Sequence, residues 1–178
     1  RPFEREDTKT TFRLNVDYDI TDDFMIYTSV TTGHRAGGYN LVFFSKTPTY
    51  DPEELIAYEL GYKTQWLDNA LQLNGSFYYY DYDNIHTVAT EVNTFFGTST
   101  SVLPAPGAEI KGMEAEITWL ATDTLTLGGN FSYTPNEYSE DLEVLDPAGF
   151  DRPASLFGAS TSVKNINGNQ LLQVPETK

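Results

Sequence analysis

The sequence predicts an all-β chain, an antiparallel up-and-down transmembrane β-barrel with about eight strands. Three observations carry the prediction. Apolar and polar residues alternate with a period of two, the alternating runs are long, and the links between runs are short and long by turns.

The first run lies around residues 10–18, where Phe12, Leu14, Val16 and Tyr18 alternate with Arg13, Asn15 and Asp17. A second is expected around 24–32. In the third, around 54–67, Ile56, Tyr58, Leu60, Tyr62 and Trp66 alternate with Glu59, Lys63 and Gln65. The stretch DPEELIAY (51–58) has the makings of a helix start, but alternation continues through it to Trp66. The fourth, around 70–83, sets Leu71, Leu73, Phe77 and Tyr79 against Gln72, Asn74 and Ser76. Around 109–120, Met113, Ala115, Ile117 and Trp119 oppose Glu114, Glu116 and Thr118. Around 124–138, Leu125, Leu127, Phe131 and Tyr133 oppose Thr126, Asn130 and Ser132. Two more strands are expected, at 153–164 and from near 169. Such alternation means strands with one apolar and one polar face. Their length matches the roughly ten residues a tilted strand needs to cross a bilayer.

Short links are expected at Asp19–Asp23, Leu67–Ala70, Ala121–Asp123 and Asn165–Gly168, and long ones at Gly33–Glu53, Asn84–Ala108 and Ser139–Arg152. In an antiparallel meander, alternate links fall at the same end. Tight turns therefore gather at one end and long loops at the other, as in outer-membrane barrels. A Greek-key sandwich has no reason to sort its links this way. Aromatic residues near expected strand ends (Tyr18, Tyr62, Trp66, Trp119, Tyr133 and Tyr138) suit girdles at the two headgroup levels. They are also simply good strand formers.

Composition excludes several classes. The 178 residues carry a formal net charge of −15, so nothing here neutralises a run of phosphates, and no nucleic-acid partner is expected. The same balance disfavours a cationic membrane-surface helix. With 12 Tyr and 11 Phe the chain is too aromatic for disorder. Absence of cysteine removes disulfides and thiolate metal sites. No apolar run of about 18 residues exists to make a membrane helix. The mean hydropathy of −0.40 suits a barrel wall, which is apolar only at alternate positions.

Three segments carry a family resemblance. Tyr18–Asn40 (YDITDDFMIYTSVTTGHRAGGYN), Tyr50–Ile85 (with YELGYK) and Ile110–Thr134 (with GMEAE) resemble successive strand–turn–strand units of TonB-dependent outer-membrane receptor barrels. The resemblance covers residues from about 10 to 138. It implies an arc of a 22-stranded barrel, whose lumen a plug domain fills. Residues 1–178 are then part of a single transmembrane β-barrel domain, with the plug, the TonB box and the remaining strands outside this sequence. The implied activity is energised import of a scarce nutrient such as a ferric siderophore, in the outer membrane of a Gram-negative bacterium. The implied partners are outer-membrane lipid and lipopolysaccharide, the plug domain, the TonB complex, and a small-molecule ligand such as a metal chelate. No cofactor and no enzymatic activity are expected.

Individual residues follow from this frame. Tyr58, Leu60, Tyr62, Trp66, Trp119, Phe131 and Tyr133 are expected to face lipid; Glu59, Lys63, Glu114 and Glu116 are expected to face the lumen. Glu114 and Glu116 share a face by alternation alone, and no cleft marks them as a catalytic pair. His34, Arg35, Tyr39, Phe43 and Phe44 lie in a ligand-side loop and suit a chelate. The plainer alternative is a loop that turns at Gly37–Gly38. His86 with Asp81 and Asp83 matches no metal motif, and solvated carboxylates are the simpler account. The acidic stretch 137–151 invites calcium or divalent-bridged lipopolysaccharide, against a default of solvated charge. Two rivals remain. A closed eight-stranded barrel with an adhesion or structural role requires the first and last strands to pair. A soluble carbohydrate-binding β-sandwich requires Tyr62, Trp66, Trp119 and Phe131 to be buried.

Overall fold

The computed structural model describes residues 4–41, 45, 47–93, 97–146 and 163–177. In chain order the strands are β1 (Arg13–Thr21), β2 (Phe24–Arg35), β3 (Gly38–Tyr39), β4 (Thr49–Tyr50), β5 (Glu53–Trp66), β6 (Leu71–Asn93), β7 (Gly97–Thr122), β8 (Leu125–Tyr133), β9 (Asn136–Tyr138), β10 (Glu143–Leu145) and β11 (Val163–Asn165). No helix occurs among the described residues. The main sheet has seven strands: a meander in the order β1-β2-β5-β6-β7-β8, with β9 continuing beside β7. All its pairings are antiparallel.

Short turns close one end. Thr21 pairs with Phe24 across Asp22-Asp23, and Thr122 pairs with Leu125 across Asp123-Thr124. Trp66 pairs with Leu71, and the Ala70 N–H donates to the Leu67 carbonyl at 3.1 Å. Leu67 (φ 56°), Asp68 (φ 52°) and Asn69 (φ 68°) all take the left-handed conformation in this four-residue turn. Asp and Asn tolerate that region better than other non-glycine residues.

The other end departs from expectation in two places. Residues 84–93 and 97–108 are not a loop: β6 and β7 stay paired from Ile85↔Ala105 to Asn93↔Gly97. Asn84 (φ 55°) and Pro106 sit at the one position the ladder skips. Proline has no N–H to give, so the punctuation is local and the β-branched run beyond it resumes the hairpin. The second departure concerns the last two expected strands. Residues 153–162 lie outside the described residues, and Val163–Asn165 pairs with β10 in a separate small sheet. From Asn169 the chain runs irregularly beside β9 and touches β8 by a single bridge, Tyr133↔Thr177. The turn at Asn165–Gly168 therefore sits at the long-loop end, where the Gly168 N–H donates to the Tyr138 carbonyl at 2.8 Å.

The sheet is two-faced, and register shows how. One row carries Trp66, Leu71, Trp119 and Leu127, and the next same-face rows carry Leu73 with Ile117 and Leu60 with Phe77 and Met113. The opposite face carries Glu59 beside Tyr78, Lys63 beside Asn74, and Asn74 beside Glu116. Among the described residues the only buried apolar side chains are Ala105, Ala108, Tyr138 and Leu171, all at the long-loop end. The barrel wall itself has no core on either face.

Candidate functional site

The apolar face is open. Leu60 is 54% exposed, Trp66 54%, Trp119 41% and Tyr62 37%; Tyr58, Phe131 and Tyr133 are exposed as well. A soluble sandwich buries such residues, and an exposed apolar face of this extent marks a surface that meets something apolar. The band is bounded. From the Leu71 row to the Tyr79 row is eight residues of β6, about 26 Å along the strand and about 20 Å in height at a typical barrel tilt. One end is marked by Trp66 and Trp119. At the other, Tyr79 lies beside Tyr58 (ring centroids 6.3 Å apart) and beneath Lys111 Nζ, 5.6 Å from its ring. Lys111 pairs with Glu109 at 2.7 Å, so charge begins where the band stops.

The polar face carries a hydrogen-bonded network. Tyr27 donates its hydroxyl to Glu59 Oε1 at 2.7 Å, and Lys63 Nζ lies 5.9 Å from the Tyr27 ring. Asn74 donates to Glu116 at 3.4 Å, and the hydroxyls of Tyr78 and Thr134 are 2.8 Å apart. A groove of about 570 Å³ runs along this face, lined by Tyr27, Lys63, Asn74, Glu114, Glu116 and Asn130. Glu59, Lys63, Glu114 and Glu116 thus share one face, and Lys63, Glu114 and Glu116 line the groove itself.

A recurring device shapes the wall. Tyr27 pairs with Gly61, Tyr62 with Gly75, Tyr78 with Gly112 and Tyr50 with Gly38. In each case the tyrosine ring lies over the glycine, in the space a Cβ would take. Glycine weakens a strand, and a cross-strand aromatic covers the exposed backbone.

At the long-loop end the structure separates some expected partners and unites others. His34 and Arg35 are successive strand residues and project from opposite faces. Arg35 reaches towards Glu53 at 4.0 Å, whereas both His34 ring nitrogens are enclosed without a hydrogen-bond partner. Tyr39 donates its hydroxyl to the Glu4 carbonyl at 3.1 Å. Phe43 and Phe44 lie outside the described residues. His86 turns away from Asp81 and Asp83: its backbone N–H donates to Glu53 at 2.8 Å and its Nε2 lies 2.7 Å from the Asp51 carbonyl. No three metal-ligating side chains converge among the described residues. In the acidic stretch, Asp141 accepts from Asn165 at 2.7 Å and from Asn167 at 2.9 Å. These bonds, Asn165 first, hold its carboxyl below the ordinary carboxylate range.

Sequence reasoning missed Asn40 and Asn136. The Asn40 carboxamide donates to the Val102 carbonyl (2.8 Å) and the Thr47 carbonyl (2.7 Å) and accepts the Val102 N–H (2.9 Å). Asn136, buried, donates to the Thr134 carbonyl (2.8 Å) and accepts the Leu171 N–H (2.9 Å). In sequence both look like ordinary turn residues, and nothing in the spacing marks them.

A long-stranded antiparallel wall, apolar outside and polar inside, with tight turns at one end, defines a segment of a transmembrane β-barrel. Over residues 1–178 the chain matches the family described as TonB dependent receptor-like, beta-barrel, and it belongs to that family. It is 27% identical over 157 residues to the pesticin receptor of Yersinia pestis, covering 86% of this chain and 22% of that receptor. The crystal structure of the siderophore receptor PiuA from Acinetobacter baumannii superposes with a TM-score of 0.64 at 20% identity, covering 94% of this chain and 22% of that one. The ferric yersiniabactin uptake receptor FyuA from Yersinia pestis gives a TM-score of 0.55 at 24% identity, covering 71% and 18%. These likenesses in structure concern the fold. The chain spans about a fifth of the length of the curated relatives it matches.

Proposed function

We propose that residues 1–178 form part of the wall of an outer-membrane receptor that imports a small-molecule nutrient of the ferric siderophore class. The observation that carries this is the two-faced open sheet. Its apolar band, about 20 Å high, approaches the roughly 25 Å of outer-membrane barrels, its polar face is lined with hydrogen-bonding groups, and its described folded connections stand at one end. Tyr58, Leu60, Tyr62, Trp66, Trp119, Phe131 and Tyr133 meet lipid, with lipopolysaccharide around the loop end. Glu59, Lys63, Glu114 and Glu116 meet the plug domain, whose movement by the TonB complex opens the path. The short turns face the periplasm, and the long-loop end faces outward to capture ligand. Relatives named as pesticin and siderophore receptors support the ligand class.

Among the described residues β1 and β8 stand at opposite ends of the strand order and do not pair with each other, which counts against a closed eight-stranded barrel. The exposed aromatics count against a sandwich. The test is uptake of radioactive iron by cells expressing the full-length receptor, with iron presented as ferric yersiniabactin, ferric pyoverdine and ferric alcaligin. TonB-dependent accumulation of at least one is expected. No binding and no uptake of any ferric chelate would remove the iron reading.

A further inference from the structure

The described part of the loop between β2 and β5 is seated on its neighbours. Within it β3 and β4 pair as a two-residue ladder, Gly38↔Tyr50 and Tyr39↔Thr49. On one side its base is held by His86 of β6, whose side chain is only 4% exposed and whose ring lies edge-on to Tyr50 at 4.9 Å. On another side the segment before β1 grips it: Arg5 donates to the Tyr50 carbonyl at 2.8 Å, and Asp7 accepts the Gly37 N–H at 3.1 Å. The third hold is Asn40. The backbone N–H and C=O of Val102 are a pair that a neighbouring strand would take, and the Asn40 carboxamide takes both. One side chain thus stands in for one residue of strand and docks the loop onto the projecting part of the β6–β7 hairpin.

We propose that Asn40 is a positioning residue for ligand capture, which fixes the β2–β5 loop on the β6–β7 hairpin so that the two present one preorganised recognition surface. This rests on the receptor function proposed above. Three consequences follow from the chemistry. The loop carries Tyr39 and Arg35 lies at its root, so whatever they contact is met by groups whose backbone is already ordered. Ordering costs that a mobile loop pays at binding are paid on folding instead. The surface then favours a compact, rigid ligand such as a metal chelate over a flexible one, since little backbone change accompanies contact.

Asn40 is suited to this and its near-isosteres are not. Aspartate keeps the acceptor for the Val102 N–H but loses both donors. Alanine loses all three bonds and leaves Val102 unpaired in a part-buried place. Glutamine lengthens the arm by one methylene and cannot meet both Val102 groups from the same backbone position.

The experiment uses the full-length receptor in detergent, with hydrogen–deuterium exchange read in wild type, Asn40→Ala and Asn40→Asp. In Asn40→Ala the amides of Val102, Thr47, Thr49 and Tyr50 are expected to exchange at least tenfold faster. Barrel amides at 57–64 should be unchanged, which shows that the wall is intact. In Asn40→Asp, Val102 should keep most of its protection while Thr47, Thr49 and Tyr50 lose theirs. Unchanged exchange in Asn40→Ala would overturn the seat. Affinities for ferric yersiniabactin, ferric pyoverdine and ferric alcaligin are then measured on the same samples, and the affinity for the chelate that the wild type binds is expected to weaken about tenfold in Asn40→Ala. A loosened loop with unaltered affinity would overturn the positioning role. Absence of chelate binding by the wild type would sink the proposed function instead, while the exchange data still decide the seat.

Discussion

At the scale of single residues, glycine and tyrosine set each other's limits. A methyl group added at Gly61 meets the ring and hydroxyl of Tyr27, and that hydroxyl is held by Glu59 at 2.7 Å. The ring cannot move aside without breaking the bond. Gly61→Ala is therefore expected to destabilise the full-length receptor by about 1–3 kcal/mol, the usual cost of overpacking. Gly128 offers the contrast, because a Cβ there meets only the Ile117 carbonyl at 3.8 Å. Gly128→Ala should be neutral or stabilising by about 0.4–1 kcal/mol, since it removes unfolded-state freedom. Chemical unfolding of both variants in detergent checks the pair, and equal effects would refute the account. Asp141 supplies a second prediction. Its carboxyl is held below the ordinary range by Asn165 and Asn167, so the clasp is complete at neutral pH. A depressed folded value means that stability is lost as pH falls through it, below the ordinary Asp range. The side-chain amide signals of Asn165 and Asn167 should shift together in that acid window and not in Asp141→Ala. Signals that move only near pH 6–7 would point to another group.

At the scale of elements, alternation decides which face each residue serves, and a slip of one residue would invert it. Leu60 and Gln65 lie on opposite faces of β5. Leu60→Arg places a cation on the apolar band at an expected cost of about 2–4 kcal/mol, whereas Gln65→Arg on the polar face should be tolerated. The fraction of receptor that runs as the compact, heat-modifiable form measures both. Normal assembly of Leu60→Arg would count against the orientation of the strand. The same alternation explains what was legible beforehand. The strands of the wall, their faces and the tight turns follow from period two and from local turn chemistry. Residues 84–108 were not legible, because Asn84 and Pro106 read as loop punctuation, and only pairing across the hairpin shows that they occupy the same ladder position. The stretch after Tyr138 misled for a different reason. Val163–Asn165 alternates like a strand of the wall, yet its partner is three residues of β10, a choice made by tertiary contact. Asn40 was silent for the same reason: its meaning lies 62 residues away, at Val102.

At the scale of the whole molecule, the apolar core and the membrane surface are separate. The wall is held by its ladder, and in the receptor function proposed above its apolar face meets lipid. The loop end has its own packing, in which Tyr138, Leu171, Ala105 and Ala108 are joined by Tyr82, Ile85, Leu142, Ile166 and Val174. The described parts of the β6–β7 hairpin, of residues 136–146 and of residues 163–174 therefore pack together, and the β2–β5 loop joins them through Asn40–Val102 and Tyr50–His86. The receptor function proposed above fixes an expected direction in the membrane: the folded, water-exposed end carrying Val88 and Lys164 outward, and the turns at Asp68 and Asp123 towards the periplasm. The sequence has no native cysteine, so single cysteines at these four positions report without background from this segment. A membrane-impermeant maleimide added to intact cells should label Val88→Cys and Lys164→Cys. Asp68→Cys and Asp123→Cys should react only after the outer membrane is permeabilised. Reversed labelling would invert the orientation, and labelling of all four in intact cells would mean that the sheet does not cross the membrane. Trp66 and Trp119 add depth to the same test: they flank Leu71 in one row. Their fluorescence should be quenched by brominated lipid near the headgroups more than at the bilayer centre, because indole rings settle at that level.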